Sequence, residues 1–166
     1  VLEYLDKNKL ANNTAVIYTA DQGFYLGENG WFDKRWMYDV SMQSPLLVRW
    51  PGKIKAGTTT AAMAQNIDFA PTMLDIAGVT PPAWMDGISL KPLLIGTEKT
   101  LPRKNIYYHY YEYPIDHYVV PHLGVRGERY KLIYFYTINE WELYDLKMDP
   151  QEQKNLIKSP VHQKVV

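Results

Sequence analysis

Thr14-Ala15-Val16-Ile17-Tyr18-Thr19-Ala20-Asp21-Gln22-Gly23 is a β-branched apolar run that breaks abruptly into a carboxylate, a carboxamide and a glycine. Branched side chains crowd a helix but pack well on a pleated surface, so residues 14–19 are expected as a buried strand of the parallel kind, entered through a turn at Asn12-Asn13. In open α/β sheets, ligands are bound at the carboxyl ends of strands, because the loop that follows can carry polar groups whose position the strand fixes. Asp21 and Gln22 occupy that place. Oxygen-bearing side chains beside a glycine suit a hard cation such as calcium, but calcium takes about 6–8 oxygens, so most of its ligands would have to come from elsewhere. An Asp-Gln turn that simply ends a strand uses the same residues, and spacing does not separate the two readings.

Outward from this strand, Val1, Leu2 and Leu5 fall at helical spacing, and the chain starts without methionine, as though it enters partway through an amphipathic helix of a longer polypeptide. Residues 23–44 read as a polar, glycine-containing loop, and Pro45 to Trp50 as a second strand stopped by Pro51-Gly52. A helix follows, capped by Asn66 or Asp68, with Phe69, Met73 and Ile76 on one face and Gly78 closing it. Ser89 to Leu94 predicts a helical turn or two, and 95–104 a charged connector. From Asn105 tyrosine becomes dense, and Ile106–Tyr113, Leu123–Val125, Tyr130–Tyr136 and Trp141–Leu146 predict an antiparallel sheet followed by a terminal helix over Gln151–Ile157. The expected division is 1–104, the α/β part, and 105–166, the small sheet subdomain.

Composition narrows the function classes. Among 166 residues, 46% hydrophobic content supports a core, and 18 basic against 18 acidic residues leave no bulk charge to attract nucleic acid or an anionic membrane. With no cysteine there is no disulfide, thiolate metal site or cysteine nucleophile. No apolar run approaches the ~20 residues of a membrane-spanning helix, and the first residues lack the pattern of a signal peptide. The four histidines, His109, His117, His122 and His162, form no metal-ligand spacing, which argues against zinc.

A longer pattern surrounds the strand end. Asp21-Gln22-Gly23-Phe24-Tyr25-Leu26-Gly27-Glu28-Asn29-Gly30, then Trp31-Phe32-Asp33-Lys34-Arg35, Ser41 and Pro45-Leu46-Leu47-Val48-Arg49-Trp50-Pro51-Gly52 closely resemble the C-terminal half of the type I, formylglycine-dependent sulfatases of the alkaline phosphatase superfamily. The resemblance continues through Asn66 to Gly78, Asp86-Gly87-Ile88-Ser89-Leu90, Arg129 to Ile133, Glu142 to Leu146 and Asp149-Pro150. It implies an α/β fold: the C-terminal part of an alkaline-phosphatase-like sandwich plus a small antiparallel sheet with a terminal helix.

The resemblance implies a sulfuric ester hydrolase acting on a sulfated small molecule or carbohydrate. Asp21 would be a calcium ligand, Gln22 would fill the adjacent ligand position, and the Lys34 ammonium would reach the sulfate group. His122 lies where similar carbohydrate sulfatases place a sugar-contacting histidine; a surface histidine fits the same sequence. The formylglycine nucleophile comes from a Cys/Ser-x-Pro/Ala-x-Arg motif that these residues lack, so the missing N-terminal part of the domain is the expected partner and the chain alone is expected to be inactive. The family is frequently periplasmic or secreted. Asn29 stands where many relatives have His, and Asp39 and Gln43 stand where Glu and Arg are usual, which bears on substrate and local packing rather than on the cation site. A phosphonate or phosphate ester hydrolase of the same superfamily is the enzyme alternative. A noncatalytic glycan-binding or scaffold module, using Tyr107-Tyr108-His109-Tyr110-Tyr111-Glu112-Tyr113 as aromatic faces, is the alternative of another class.

Overall fold

The computed structural model describes residues 1–114 and 117–166. In chain order its elements are α1 (Leu2–Lys7), β1 (Val16–Thr19), β2 (Tyr25–Leu26), β3 (Phe32–Asp33), α2 (Asp39–Met42), β4 (Leu46–Arg49), α3 (Phe69–Ile76), α4 (Lys91–Leu94), β5 (Asn105–Tyr110), β6 (His122–Gly127), β7 (Tyr130–Phe135) and β8 (Glu140–Asp145). They form two compact units. One comprises Val1–Asp21 and Pro45–Pro102, the other Gln22–Ser44 and Arg103–Val166.

In the first unit β1 pairs with β4, Val16 opposite Arg49 and Thr19 opposite Leu46. The pairing is antiparallel, which corrects the parallel expectation: an apolar run specifies a strand but not the direction of its neighbour. Tyr18 and Leu47 face each other across the pair and are both exposed, so burial here is one-sided. The helix expected after Asn66 forms as a single 3-10 turn at Asn66–Asp68 leading into α3, with Gln65 and Asp68 making a reciprocal capping box, and Gly78, at φ 78°, ends it. Its packing face differs from the apolar one read from spacing. Met73 is exposed, whereas Asp68 and Thr72 are buried. The Asp68 carboxylate accepts the Ile88 N–H at 2.8 Å, Thr72 Oγ1 accepts the Leu90 N–H at 2.8 Å, and Asp75 accepts from Ser89 Oγ and Lys91 Nζ at 2.6 and 2.9 Å. A polar stripe at i, i+4, i+7 thus docks the loop that precedes α4, satisfying main-chain donors that a methionine could not.

The second unit is built on a four-stranded antiparallel sheet in the order β5-β6-β7-β8. Alternation decides its faces: Tyr108 and Tyr110 turn inward while Tyr107 and His109 are exposed, and on β7 Lys131, Ile133 and Phe135 are buried. Residues 23–44 are more ordered than the expected loop, forming the β2–β3 hairpin and α2. Their Tyr25, Met37 and Tyr38 join Ile133, Phe135, Tyr144 and Leu146 in the core. Each such side chain contributes about 1.5–3 kcal/mol on full burial. No helix forms over Gln151–Ile157, contrary to expectation. Asn155 instead donates to the Trp141 carbonyl and accepts the Leu143 N–H, the Leu156 N–H bonds to the Leu143 carbonyl, and Glu152 adopts φ 54° with its side chain buried. Pairing with β8 and the inward pull on Glu152 outweigh a short helix, which is marginal by itself. Among the described residues no helix is long and apolar enough to cross a membrane.

Candidate functional site

Asp21 follows the end of β1, exposed, with its main-chain carbonyl accepting a hydrogen bond from Asn66 Nδ2. Gln22 is half-buried, and its Nε2 donates to the Lys34 carbonyl at 2.6 Å. A carbonyl can only accept, so the amide orientation is settled and Oε1 is the end left for a cation or another donor. Gly23 comes next because nothing larger fits. Its N–H donates to the Ser41 carbonyl at 2.7 Å, and a Cβ would lie 2.0 Å from the Val40 oxygen and 2.6 Å from that of Gln43.

Lys34 lies just beyond β3 in backbone that belongs to no helix or strand, yet its neighbourhood is fully bonded. The Lys34 carbonyl accepts from both Gln22 Nε2 and Ser41 Oγ, the latter at 2.8 Å. The Arg35 carbonyl accepts from Tyr108 Oη at 2.9 Å and the Trp36 carbonyl from Tyr25 Oη at 3.1 Å. Three successive carbonyls are therefore held by side chains, doing for an irregular segment what a ladder does for a strand. Burial pushes the Tyr108 hydroxyl up to about 12, so it remains a donor at any physiological pH.

Beside Lys34 is a polar cluster that the sequence reading passed over. Arg35 Nη1 meets Asp33 Oδ1 at 3.2 Å, His117 Nδ1 meets Asp33 Oδ2 at 2.7 Å, and Arg35 Nη2 meets His117 Nε2 at 2.8 Å. Arginine only donates, so His117 Nε2 accepts and Nδ1 carries the proton facing Asp33. All three side chains are about a quarter to a third exposed, and Asp33 sits at φ 82°, a region non-glycine residues rarely occupy outside functional or over-determined sites. The run Asp33-Lys34-Arg35 was the available signal, but nothing in spacing joins it to His117.

His122 is not a surface residue. It is fully buried, stacked on Trp36 at 5.7 Å and on Tyr108 at 5.5 Å, with Phe135 at 5.2 Å. Its Nδ1–H donates to the Val120 carbonyl at 2.8 Å, and Nε2 has no hydrogen-bond partner among the described residues. Burial holds the imidazole below its ordinary pKa, so it stays neutral near pH 7.

Among the described residues no three His, Cys, Asp or Glu side chains gather to hold a metal. The Asp21 carboxylate and Gln22 Oε1 are hard oxygen donors of the type calcium takes, and by number they could form only part of its shell. An open cleft of about 720 Å³ beside Asp39, Gln43, Arg126 and Arg129 is a weaker candidate for an anionic substrate, because Arg126 already pairs with Asp39 at 3.0 Å and Arg129 with Asp145 at 2.7 Å.

Comparison with known proteins bears on the whole of this chain. The family described as N-sulphoglucosamine sulphohydrolase, C-terminal, matches residues 27–166. N-acetylglucosamine-6-O-sulfatase of Bacteroides thetaiotaomicron is 53% identical over 159 residues, 94% of this chain and 28% of that protein. A protein solved in complex with its substrate D-glucosamine-2-N,6-O-disulfate is 50% identical and superimposes with a TM-score of 0.93, over 99% of this chain and 34% of that one. A phosphonate monoester hydrolase from Silicibacter pomeroyi is 26% identical with a TM-score of 0.84, over 99% of this chain and 34% of that one. The chain thus spans about 28% of the length of the curated sulfatase it matches at 53% identity. It belongs to the sulfatases of the alkaline phosphatase superfamily and corresponds to their C-terminal portion.

Proposed function

We propose that the polypeptide carrying this chain hydrolyses sulfate esters of glycan amino sugars, with 6-O-sulfated N-acetylglucosamine as its substrate class. The observation that carries the reading is the 53% identity, over 94% of the chain, to an N-acetylglucosamine-6-O-sulfatase. It is supported by the 0.93 TM-score to a protein solved with a glucosamine disulfate as its substrate.

Within that reading the Asp21 carboxylate and Gln22 Oε1 would contribute two of the oxygens of a calcium ion, whose other ligands would come from residues outside this chain. A calcium ion held there would supply charge neutralisation at the sulfate, and the nucleophile would have to come from a formylglycine outside these residues. The Lys34 ammonium, on a segment whose main chain is tied down at three carbonyls, offsets the charge that grows on a sulfate oxygen as the ester bond weakens. Asp33, Arg35 and His117 present an acceptor and donors side by side, the arrangement that binds neighbouring sugar hydroxyls. His122 is stacked on Trp36 and Tyr108 with no exposed surface, so a sugar hydroxyl would meet its Nε2 only where substrate opens the aromatic cage.

The likeness to a phosphonate monoester hydrolase keeps that chemistry as the second reading. The test is the complete polypeptide assayed on 6-O-sulfated N-acetylglucosamine and on a phosphonate monoester, with calcium binding followed by calorimetry. Sulfate release should dominate; Asp21→Ala should abolish it and weaken calcium binding, and Lys34→Ala should slow turnover with the fold intact. Phosphonate cleavage well above sulfate cleavage, or near-parental rates in both variants, refutes the assignment; no hydrolysis with retained glycan binding supports the noncatalytic module.

A further inference from the structure

The second unit contains a buried charge cluster for which the proposed chemistry has no use. Lys131, on the inward face of β7, has no exposed surface. Its Nζ lies 2.6 Å from Asp39 Oδ1 and 2.7 Å from Glu152 Oε1, the latter an ion pair off the hydrogen-bonding angle. Asp39 Oδ2 also accepts from Arg126 at 3.0 Å and from Gln43 Nε2 at 2.9 Å, and Glu152 Oε2 accepts the Asp39 N–H at 2.6 Å. Glu152 thereby receives the main-chain donor that begins α2.

What α2 carries gives this arrangement its consequence. Ser41, two residues on, donates through Oγ to the Lys34 carbonyl and accepts the Gly23 N–H on its own carbonyl, and the Lys34 carbonyl in turn takes Gln22 Nε2. An unbroken series of bonds of 2.6–2.8 Å runs from Lys131 and Glu152 through Asp39 and α2 to Lys34 and Gln22. A four-residue helix cannot hold its own position by propensity, so the buried cluster is what places it. We infer that Lys131, Asp39 and Glu152 form a positioning device that sets Gln22 and Lys34 through α2. Replacing such a cluster by apolar residues would cost little or even stabilise, so its role is better sought in geometry than in net stability. Asp39 and Gln43 are bonded to each other, so Gln43 belongs to the same end of the device.

The inference rests on the proposed roles of Gln22 and Lys34, and its test separates the two. In the complete polypeptide, Glu152→Asp keeps the charge but withdraws the carboxylate by one methylene from the Asp39 N–H. Ser41→Ala cuts the last link, and Leu143→Ala, a buried residue outside the cluster, controls for lost stability. On 6-O-sulfated N-acetylglucosamine, Glu152→Asp and Ser41→Ala should each lower kcat per folded molecule by about ten- to a hundredfold with KM near the parental value, and the double variant should lose little more than either. The Gly23 amide should exchange hydrogen faster in Glu152→Asp while the Ile133 amide in the sheet does not. Leu143→Ala should lower the melting temperature with kcat per folded molecule unchanged. Parental kcat and parental Gly23 protection in Glu152→Asp, or fully multiplicative losses in the double variant, overturn the device. An inactive parent in which Gly23 exchange still responds to Glu152→Asp overturns the sulfatase reading and leaves the device standing.

Discussion

Replacing Lys131 by methionine removes one cation from a site with no exposed surface and leaves two carboxylates facing it. The side chains are close in volume, so the change is electrostatic rather than a cavity. Breaking a buried pair from one side costs about 3–5 kcal/mol, because the surviving charge stays desolvated. With a urea slope of about 1–3 kcal/mol per molar, that predicts an unfolding midpoint lower by at least about 1 M. Arg126 remains on Asp39 Oδ2 and keeps the loss from being larger. The penalty should also depend on pH in a definite direction. Burial already raises the Glu152 pKa, against the pull of Lys131 and the Asp39 N–H. For Asp39, burial is outweighed by Arg126 and Lys131, and its carboxyl lies below the ordinary value. Without Lys131 both folded values rise. A carboxyl with a raised folded pKa adds stability below its unfolded value and loses it as pH climbs through the folded one, so Lys131→Met should be less damaging at pH 5.5 than at 7.5. Urea unfolding followed by tryptophan fluorescence at both pH values measures this. A midpoint within about 0.3 M of the parent at pH 7.5, or a penalty that grows on acidification, refutes the reasoning.

Gly23→Ala should destabilise by about 3 kcal/mol, the upper end for an inserted methyl, since the atoms it meets at 2.0 and 2.6 Å are main-chain oxygens; urea unfolding that shows less than about 1 kcal/mol would mean α2 can shift aside. His122 is neutral and below its ordinary pKa in the folded state, so the stability it contributes is present above about pH 6.5 and is lost as pH falls from there toward the folded value. Melting temperatures between pH 7 and 5 should accordingly fall less steeply in His122→Phe than in the parent, and equal slopes would contradict the enclosed imidazole.

The elements with strong local chemistry were legible in the residues: α1, the strand before Asp21, the strand ended by Pro51-Gly52, α3 between its cap and Gly78, and the tyrosine-rich sheet. A motif rather than spacing marks Asp21, Gln22 and Lys34 as a candidate set. Direction and facing were not legible. An apolar run does not say which way its neighbour runs, and the 3.6-residue period of α3 put Met73 on one face with Phe69 and Ile76, whereas Met73 is exposed and main-chain donors at Ile88 and Leu90 bring Asp68 and Thr72 into the interior. The terminal helix failed because bonds to β8 and a buried carboxylate at Glu152 compete with a propensity of only tenths of a kcal/mol per residue.

By itself the sequence determined composition, the neutral charge balance, the strand that ends in Asp21-Gln22-Gly23 and the family to which that ending points. Only the tertiary structure joined Asp33 and Arg35 to His117, enclosed His122 among aromatic rings and drew Lys131 and Glu152 to Asp39. Arg35 and His117 stand 82 positions apart in the chain, Lys131 and Asp39 92, and Glu152 and Asp39 113, and a hydrogen bond or an ion pair depends on distance in space, which no local pattern records.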